Sequence, residues 1–176
     1  MKLEQGLVQV FFGDGKGKTT AALGTALRAL GSEMKVHLVQ FMKPKETSEI
    51  ISLKKFPNFS FKQFGVEKWY KEDDKESVDE HKKAAEDALN YLKSCLNNDY
   101  NIIIADEILY AVQFSLISEN EVIQLIKDKP KEKELILTGS HKPFPNIFAL
   151  ADLITEMKKI KHPFDRGIVA RKGIEF

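Results

Sequence analysis

Two rhythms of apolar and polar residues alternate along this chain. Leu7-Val8-Gln9-Val10-Phe11-Phe12 is an apolar run of strand length, and Ala21-Ala22-Leu23-Gly24-Thr25-Ala26-Leu27-Arg28-Ala29-Leu30 then carries small and apolar residues at helical spacing, ending near Gly31. Val36 to Phe41 reads as a second strand, and Phe59 to Phe64 alternates as a half-buried strand does. A long helix is predicted from about Val78 to Leu96, with Asn97-Asn98-Asp99 as its stop. Ile102 to Ala105 is continuously apolar, as a strand covered on both faces requires. Ser118-Glu119-Asn120-Glu121 has capping-box spacing before Val122, Ile123, Leu125 and Ile126. Leu135 to Thr138 and Leu153 to Met157 complete the strands. Repeated strand–helix units predict an α/β domain spanning 1–176, with a mainly parallel sheet and helices on both faces. Ligands of such sheets collect at the carboxyl ends of the strands. Segment 65–77 is charged, interrupted only by Val66, Trp69 and Tyr70, and is expected to be a mobile loop.

Composition narrows the function classes. At 176 residues, 43% of them apolar, the chain suits one globular domain with a sizeable core. Twenty-seven basic and 26 acidic side chains nearly cancel, which argues against a nucleic-acid partner. A single cysteine, Cys95, excludes an intramolecular disulfide and suggests a reducing compartment; its helical, apolar setting reads as structural. No run approaches membrane-spanning length and no signal-peptide core opens the chain, so a cytoplasmic, soluble protein is expected.

The chemistry begins between the first strand and first helix. Gly13-Asp14-Gly15-Lys16-Gly17-Lys18-Thr19-Thr20 is a glycine-rich phosphate loop in strand–loop–helix context. Glycines let backbone N–H groups face phosphate oxygens, Lys18 adds a full positive charge, and the Thr19 hydroxyl can ligate magnesium. The usual pattern would place its first glycine at Phe12; Gly13 makes this loop one residue shorter. A second signal is Asp106-Glu107, just beyond the buried strand Ile102 to Ala105, where a carboxylate can hold magnesium opposite Thr19. Spacing leaves open which of the two faces the ion, and an acidic helix cap is the competing role. Hydrolysis, phosphoryl transfer and adenosyl transfer all remain compatible with these parts.

The phosphate loop, Val39-Gln40-Phe41, Asp106-Glu107, Leu137-Thr138-Gly139, Ala151 to Met157 and the closing stretch from Lys161-His162-Pro163-Phe164-Asp165-Arg166-Gly167-Ile168 to Gly173-Ile174-Glu175-Phe176 together resemble the P-loop ATP:corrinoid adenosyltransferases from about Gly6 onward. The resemblance implies a P-loop NTPase-like, RecA-like fold. It implies transfer of the 5′-deoxyadenosyl group of ATP to the Co(I) of a reduced corrinoid such as cob(I)alamin, with release of triphosphate. It further implies ATP bound in reverse orientation, Mg2+ (or Mn2+) at Thr19 and Glu107, Lys18 and Glu107 as catalytic residues, and Trp69 against the corrinoid. A homodimer and a flavoprotein reductase supplying Co(I) are its implied partners.

Two positions depart from the family pattern. The family has a phenylalanine two residues before its tryptophan, where this chain has Glu67; the alternatives are Phe64 or Tyr70 as the apolar wedge, or a different handling of the corrinoid. After Leu137-Thr138-Gly139 an arginine is usual, and Ser140 stands there, followed by His141 and Lys142. Lysine replaces a fork with a point charge. The rival readings are a P-loop kinase or ATPase, disfavoured by having only Arg28, Arg166 and Arg171, and a nonenzymatic ATP-binding module.

Overall fold

A computed structural model describes residues 3–68 and 70–176. Six strands form one parallel sheet: β1 (Val8–Phe12), β2 (Val36–Phe41), β3 (Phe59–Phe64), β4 (Ile102–Asp106), β5 (Glu134–Thr138) and β6 (Leu153–Glu156), in the order β3-β2-β4-β5-β1-β6. The helices are α1 (Lys18–Gly31), α2 (Ser48–Leu53), α3 (Lys75–Cys95), α4 (Ile108–Gln113), α5 (Glu119–Lys127) and α6 (Pro145–Phe148), followed by a 3-10 turn at Pro163–Arg166.

Strand alternation divides the core into two layers. Val8, Val10, Phe12, Ile103, Ala105, Leu135 and Leu137 pack with α3, α4, α5 and α6. Phe11, Val36, Leu38, Ile102, Ile104 and Ile136 pack with α1 and α2 on the opposite face. Strands covered on both sides must be apolar at odd and even positions alike, which is why β4 and β5 are continuous apolar runs. β3 and β6 lie at the edges and expose part of their length.

The expected fold is the observed one: a parallel α/β sheet of P-loop NTPase-like architecture. β5 separates the strand that leads into the phosphate loop from the strand that delivers Asp106, with Phe11 in register with Thr138 and Ala105 with Leu137. The carboxyl ends of β1, β5 and β4 therefore open side by side.

Local caps follow the sequence. Ser118 accepts from the Glu121 N–H while the Glu121 carboxylate accepts from the Ser118 N–H, the reciprocal box predicted for α5. α3 starts earlier than the sequence suggested, because Asp74 caps it by accepting from the Ser77 N–H. Residues 75–77 are thus the first helical turn, and of the described residues in this segment 65–68 and 70–74 are irregular. The short helices α2 and α6 were not foreseen; each has too few residues to establish a period. No helix among the described residues is long and apolar enough to cross a membrane.

Candidate active site

The phosphate loop is shaped by the strand edge beside it. Gly13 has φ 111° and Gly17 φ 121°, a region that side-chain-bearing residues rarely adopt. A Cβ on Gly13 or Gly15 would stand 2.4 or 2.6 Å from the Met157 carbonyl oxygen, so the chain leaving β6 can close on the loop only if both are glycine. The Gly15 N–H donates to that same oxygen at 2.6 Å. Asp14 has a structural part here: its carboxylate accepts from the Lys159 N–H at 2.9 Å, and this bond holds it below the usual carboxylate range.

Lys18, the first residue of α1, folds back over the loop and donates to the carbonyls of Gly13 (2.7 Å) and Gly15 (3.0 Å). Burial pushes its ammonium pKa down, with Glu107, Asp14 and Asp106 acting in the other direction. Its Nζ also lies 5.8 Å from the Tyr110 ring centroid. Thr19 follows on the first turn, and its hydroxyl donates to Asp106 Oδ1 at 2.8 Å. Thr20 is exposed beside it.

Asp106 is the polar centre of the site and is fully buried. Its Oδ1 also accepts from the Thr138 hydroxyl (2.7 Å), and its Oδ2 accepts from Gln40 Nε2 and Lys43 Nζ, both at 3.0 Å. Burial alone would raise its pKa. Lys43, followed by the hydrogen bonds of Thr138, Gln40 and Thr19, outweighs that and lowers it, so this carboxylate stays ionised. Lys43 answers in kind: burial lowers its pKa, but Asp106 and Glu107 bring it above the ordinary lysine value.

Glu107 stands differently. It occupies the left-handed region at φ 64° and precedes α4 without any side-chain cap hydrogen bond, so the acidic-cap role is not what holds it. Its N–H donates to Thr138 Oγ1 at 2.9 Å, while its Oε2 is buried without a hydrogen-bond partner among the described residues. Burial, reinforced by neighbouring Asp106, pushes its pKa up to about 7. Gly139 makes the turn possible, since a Cβ there would sit 2.9 Å from the Tyr110 nitrogen.

Sequence reasoning joined Thr19 to Glu107; the structure brings Thr19 into contact with Asp106 and sets Glu107 next to it on the cleft wall. Gln40, Lys43 and Thr138 had not been singled out as polar partners. Gln40 and Thr138 stand in the family motifs Val39-Gln40-Phe41 and Leu137-Thr138-Gly139, and both are polar residues in otherwise apolar runs, the signals that could have found them. Thr19, Asp106 and Glu107 offer the hard oxygen donors that magnesium takes, and the unpartnered Oε2 is an acceptor suited to a cation. Among the described residues no group of three or more His, Cys, Asp or Glu forms a closed metal cage. Magnesium commonly keeps waters and substrate phosphate oxygens as ligands, so none is needed.

Two clefts meet here. The first, about 730 Å³, runs from Gly15 to Thr20 past Leu23, Leu27, Leu53 and Phe56. The second, about 640 Å³, is walled by Met42, Tyr70, Tyr110 and Phe114. Lys43, Glu49, Glu107, Glu175 and Phe176 line both. Tyr70 stacks on Phe114 with centroids 4.9 Å apart and meets His81 edge-on at 5.5 Å. His81 Nε2, 3.0 Å from the Lys68 carbonyl, fastens that loop to α3. Phe64 instead packs against Tyr91 of α3, so that of these two aromatic side chains it is Tyr70 that faces the cleft, with Val66 also on its wall. Glu67 lies on the cleft rim and pairs with Lys45 at 3.5 Å. Trp69 lies outside the described residues. The Ser140 hydroxyl is 2.9 Å from Gln113 Oε1 and accepts from the Lys142 N–H, which ties it into its own turn.

Away from the site, Cys95 is buried and its thiol pKa raised, mainly by burial, as a structural role predicts. His37 is packed rather than solvent-facing, stacked on Tyr100 at 4.5 Å.

The sequence profile of ATP:corrinoid adenosyltransferase BtuR/CobO/CobP matches residues 4–176. Among curated relatives, the corrinoid adenosyltransferase of Escherichia coli (strain K12) is 32% identical over 176 residues, covering 98% of this chain and 87% of the relative. That of Pseudomonas aeruginosa is also 32% identical, covering 98% and 85%. The corrinoid adenosyltransferase CobA of Salmonella typhimurium is 31% identical, covering 98% and 87%. With a family match across nearly its whole length and a phosphate loop built as that fold requires, this chain belongs to the ATP:corrinoid adenosyltransferase family.

Proposed function

We propose that this enzyme transfers the 5′-deoxyadenosyl group of ATP to the Co(I) of a reduced corrinoid. The C5′–O bond to the triphosphate breaks, a cobalt–carbon bond forms with the electron pair of Co(I), and inorganic triphosphate leaves. The observation that carries this reading is the junction of a phosphate-binding cleft with an apolar, aromatic-walled cleft at Glu107. One cleft suits a polyphosphate and the other a large flat ligand, and a group at the junction is within reach of both.

Cobalt is itself the nucleophile, so no activated serine, cysteine or histidine is required. The protein's work is to align C5′ with cobalt and to stabilise charge gathering on the departing triphosphate. Lys18 and the backbone of Gly13 to Thr20 do the second, and Lys16 lies at the mouth of the same loop. Thr19, Asp106 and Glu107 would hold Mg2+ (or Mn2+), which when bound neutralises phosphate charge. Lys43 keeps Asp106 ionised, and the Thr138 and Gln40 hydrogen bonds fix its orientation. Tyr70, Phe114 and Trp69 serve the corrinoid face. By resemblance to its family, the chain works as a cytoplasmic homodimer fed by a flavoprotein reductase.

The test is the fate of the phosphates. Purified protein with ATP, magnesium and anaerobically generated cob(I)alamin or cob(I)inamide should release triphosphate only when the corrinoid is present. ADP in its place would assign a kinase or ATPase.

A further inference from the structure

Residues 164–176 are exposed throughout, yet their end does not trail into solvent. Arg171 Nε and a terminal guanidinium nitrogen grip the Glu175 carboxylate at 3.2 and 3.1 Å, and the Arg171 N–H donates to it at 2.8 Å. Gly173, at φ 77°, bends the segment so that its N–H reaches the Phe176 carbonyl at 2.7 Å. The hook so formed is fastened to the body by hydrogen bonds at two places. Lys16 of the phosphate loop donates to the Ile174 carbonyl and to Glu175 Oε1, both at 3.0 Å; Ser48 at the start of α2 donates to the Phe176 carbonyl at 3.2 Å.

Position gives this strap its consequence. Of the five residues that line both clefts, Lys43, Glu49 and Glu107 belong to the body, while Glu175 and Phe176 belong to the strap. The strap therefore forms part of the partition between them. Its fastening on the loop is an exposed ion pair, with the two side chains 48% and 21% accessible, and such pairs contribute little and exchange readily. A triphosphate in the loop carries several negative charges and competes directly with one carboxylate for the Lys16 ammonium.

We propose that strap 171–176 is a nucleotide-released gate, in which Glu175 occupies Lys16 until a bound triphosphate takes that lysine over and frees the strap from between the clefts. Glu175 is then a positioning residue that acts through Lys16. The inference rests on reading the first cleft as the nucleotide site.

Two measurements on the full chain test it, with inorganic triphosphate plus magnesium as the probe and MgATP as the second ligand. Tryptic cleavage after Arg171 and Lys172, resolved by mass spectrometry, should accelerate when either ligand is added. Glu175→Gln should cleave fast with or without ligand. It should also bind triphosphate more tightly, by a factor of about two to five, the equilibrium worth of an exposed ion pair. A strap serving as a fixed wall of the site gives the opposite sign: slower cleavage with ligand and weaker binding by Glu175→Gln. Either result, or cleavage indifferent to ligand, overturns the gate. Triphosphate that does not bind wild-type protein at all would sink the underlying assignment of the cleft, and the gate with it.

Discussion

Replacing Asp106 by asparagine preserves volume and removes one charge, and the structure says where the cost falls. Both oxygens of Asp106 face donors: Thr19 and Thr138 on one, Gln40 and Lys43 on the other. An amide has one oxygen and one NH2, so one pair of donors must face N–H. If that pair is Gln40 and Lys43, Gln40 cannot simply flip, because its Oε1 accepts from Gln63 at 2.9 Å. Lys43, about a quarter exposed, can swing to water. If the pair is the threonines, Thr138 must turn its hydroxyl while Oγ1 already accepts from the Glu107 N–H. Each hydrogen bond to a charged group contributes about 1.5–3 kcal/mol, so with Lys43 rescued by solvent the net loss is about 2–3 kcal/mol. For a chain of this length that lowers the melting temperature by about 4–12 °C. Thermal unfolding followed by circular dichroism near pH 7 reads this directly. Lys43→Met alone and combined with Asp106→Asn should give non-additive losses, since the two side chains share one contact. A melting point for Asp106→Asn within about 2 °C of wild type would refute the argument that this buried carboxylate organises the site.

Lys18→Ala should leave melting nearly unchanged and cut adenosylation by about 10²–10³-fold, the usual scale for losing one preorganised donor to a developing anion; normal turnover would remove Lys18 from its assigned role. Gly13→Ala, forced to φ 111° and against Met157, should lose about 1–3 kcal/mol and nucleotide affinity, whereas Gly24→Ala, with open space at its Cβ, should gain about 0.4–1 kcal/mol; equal melting points for the two would contradict the loop geometry. His37, its pKa lowered to about 4 by burial and then by Lys62, is neutral in the folded chain where the unfolded chain, near 6.5, already binds a proton. Stability is therefore full above about pH 6.5 and falls towards pH 4 by at most about 3 kcal/mol, and denaturant titrations of wild type and His37→Phe should diverge in that window.

What the sequence made legible was whatever depends on neighbours along the chain. The buried runs of β4 and β5, the α5 capping box and the phosphate loop are all local patterns. The choice between Asp106 and Glu107 was not local. It depends on β5 lying between β1 and β4, which puts Thr138 beside Asp106 and turns Glu107 into a left-handed residue on the cleft wall. Lys43 was invisible for the same reason: its partner is 63 residues away. The short helix α2 was missed because six residues carry no readable period, yet its start is one of the two fastenings of the strap.

The central claim concerns carbon rather than phosphate, and ATP labelled at C5′ tests it most directly. Incubated with the enzyme, magnesium and a Co(I) corrinoid under anaerobic conditions, the label should move to the corrinoid in a bond that light cleaves, one equivalent for each triphosphate released. Label that stays with the nucleotide while ATP is consumed would contradict adenosyl transfer.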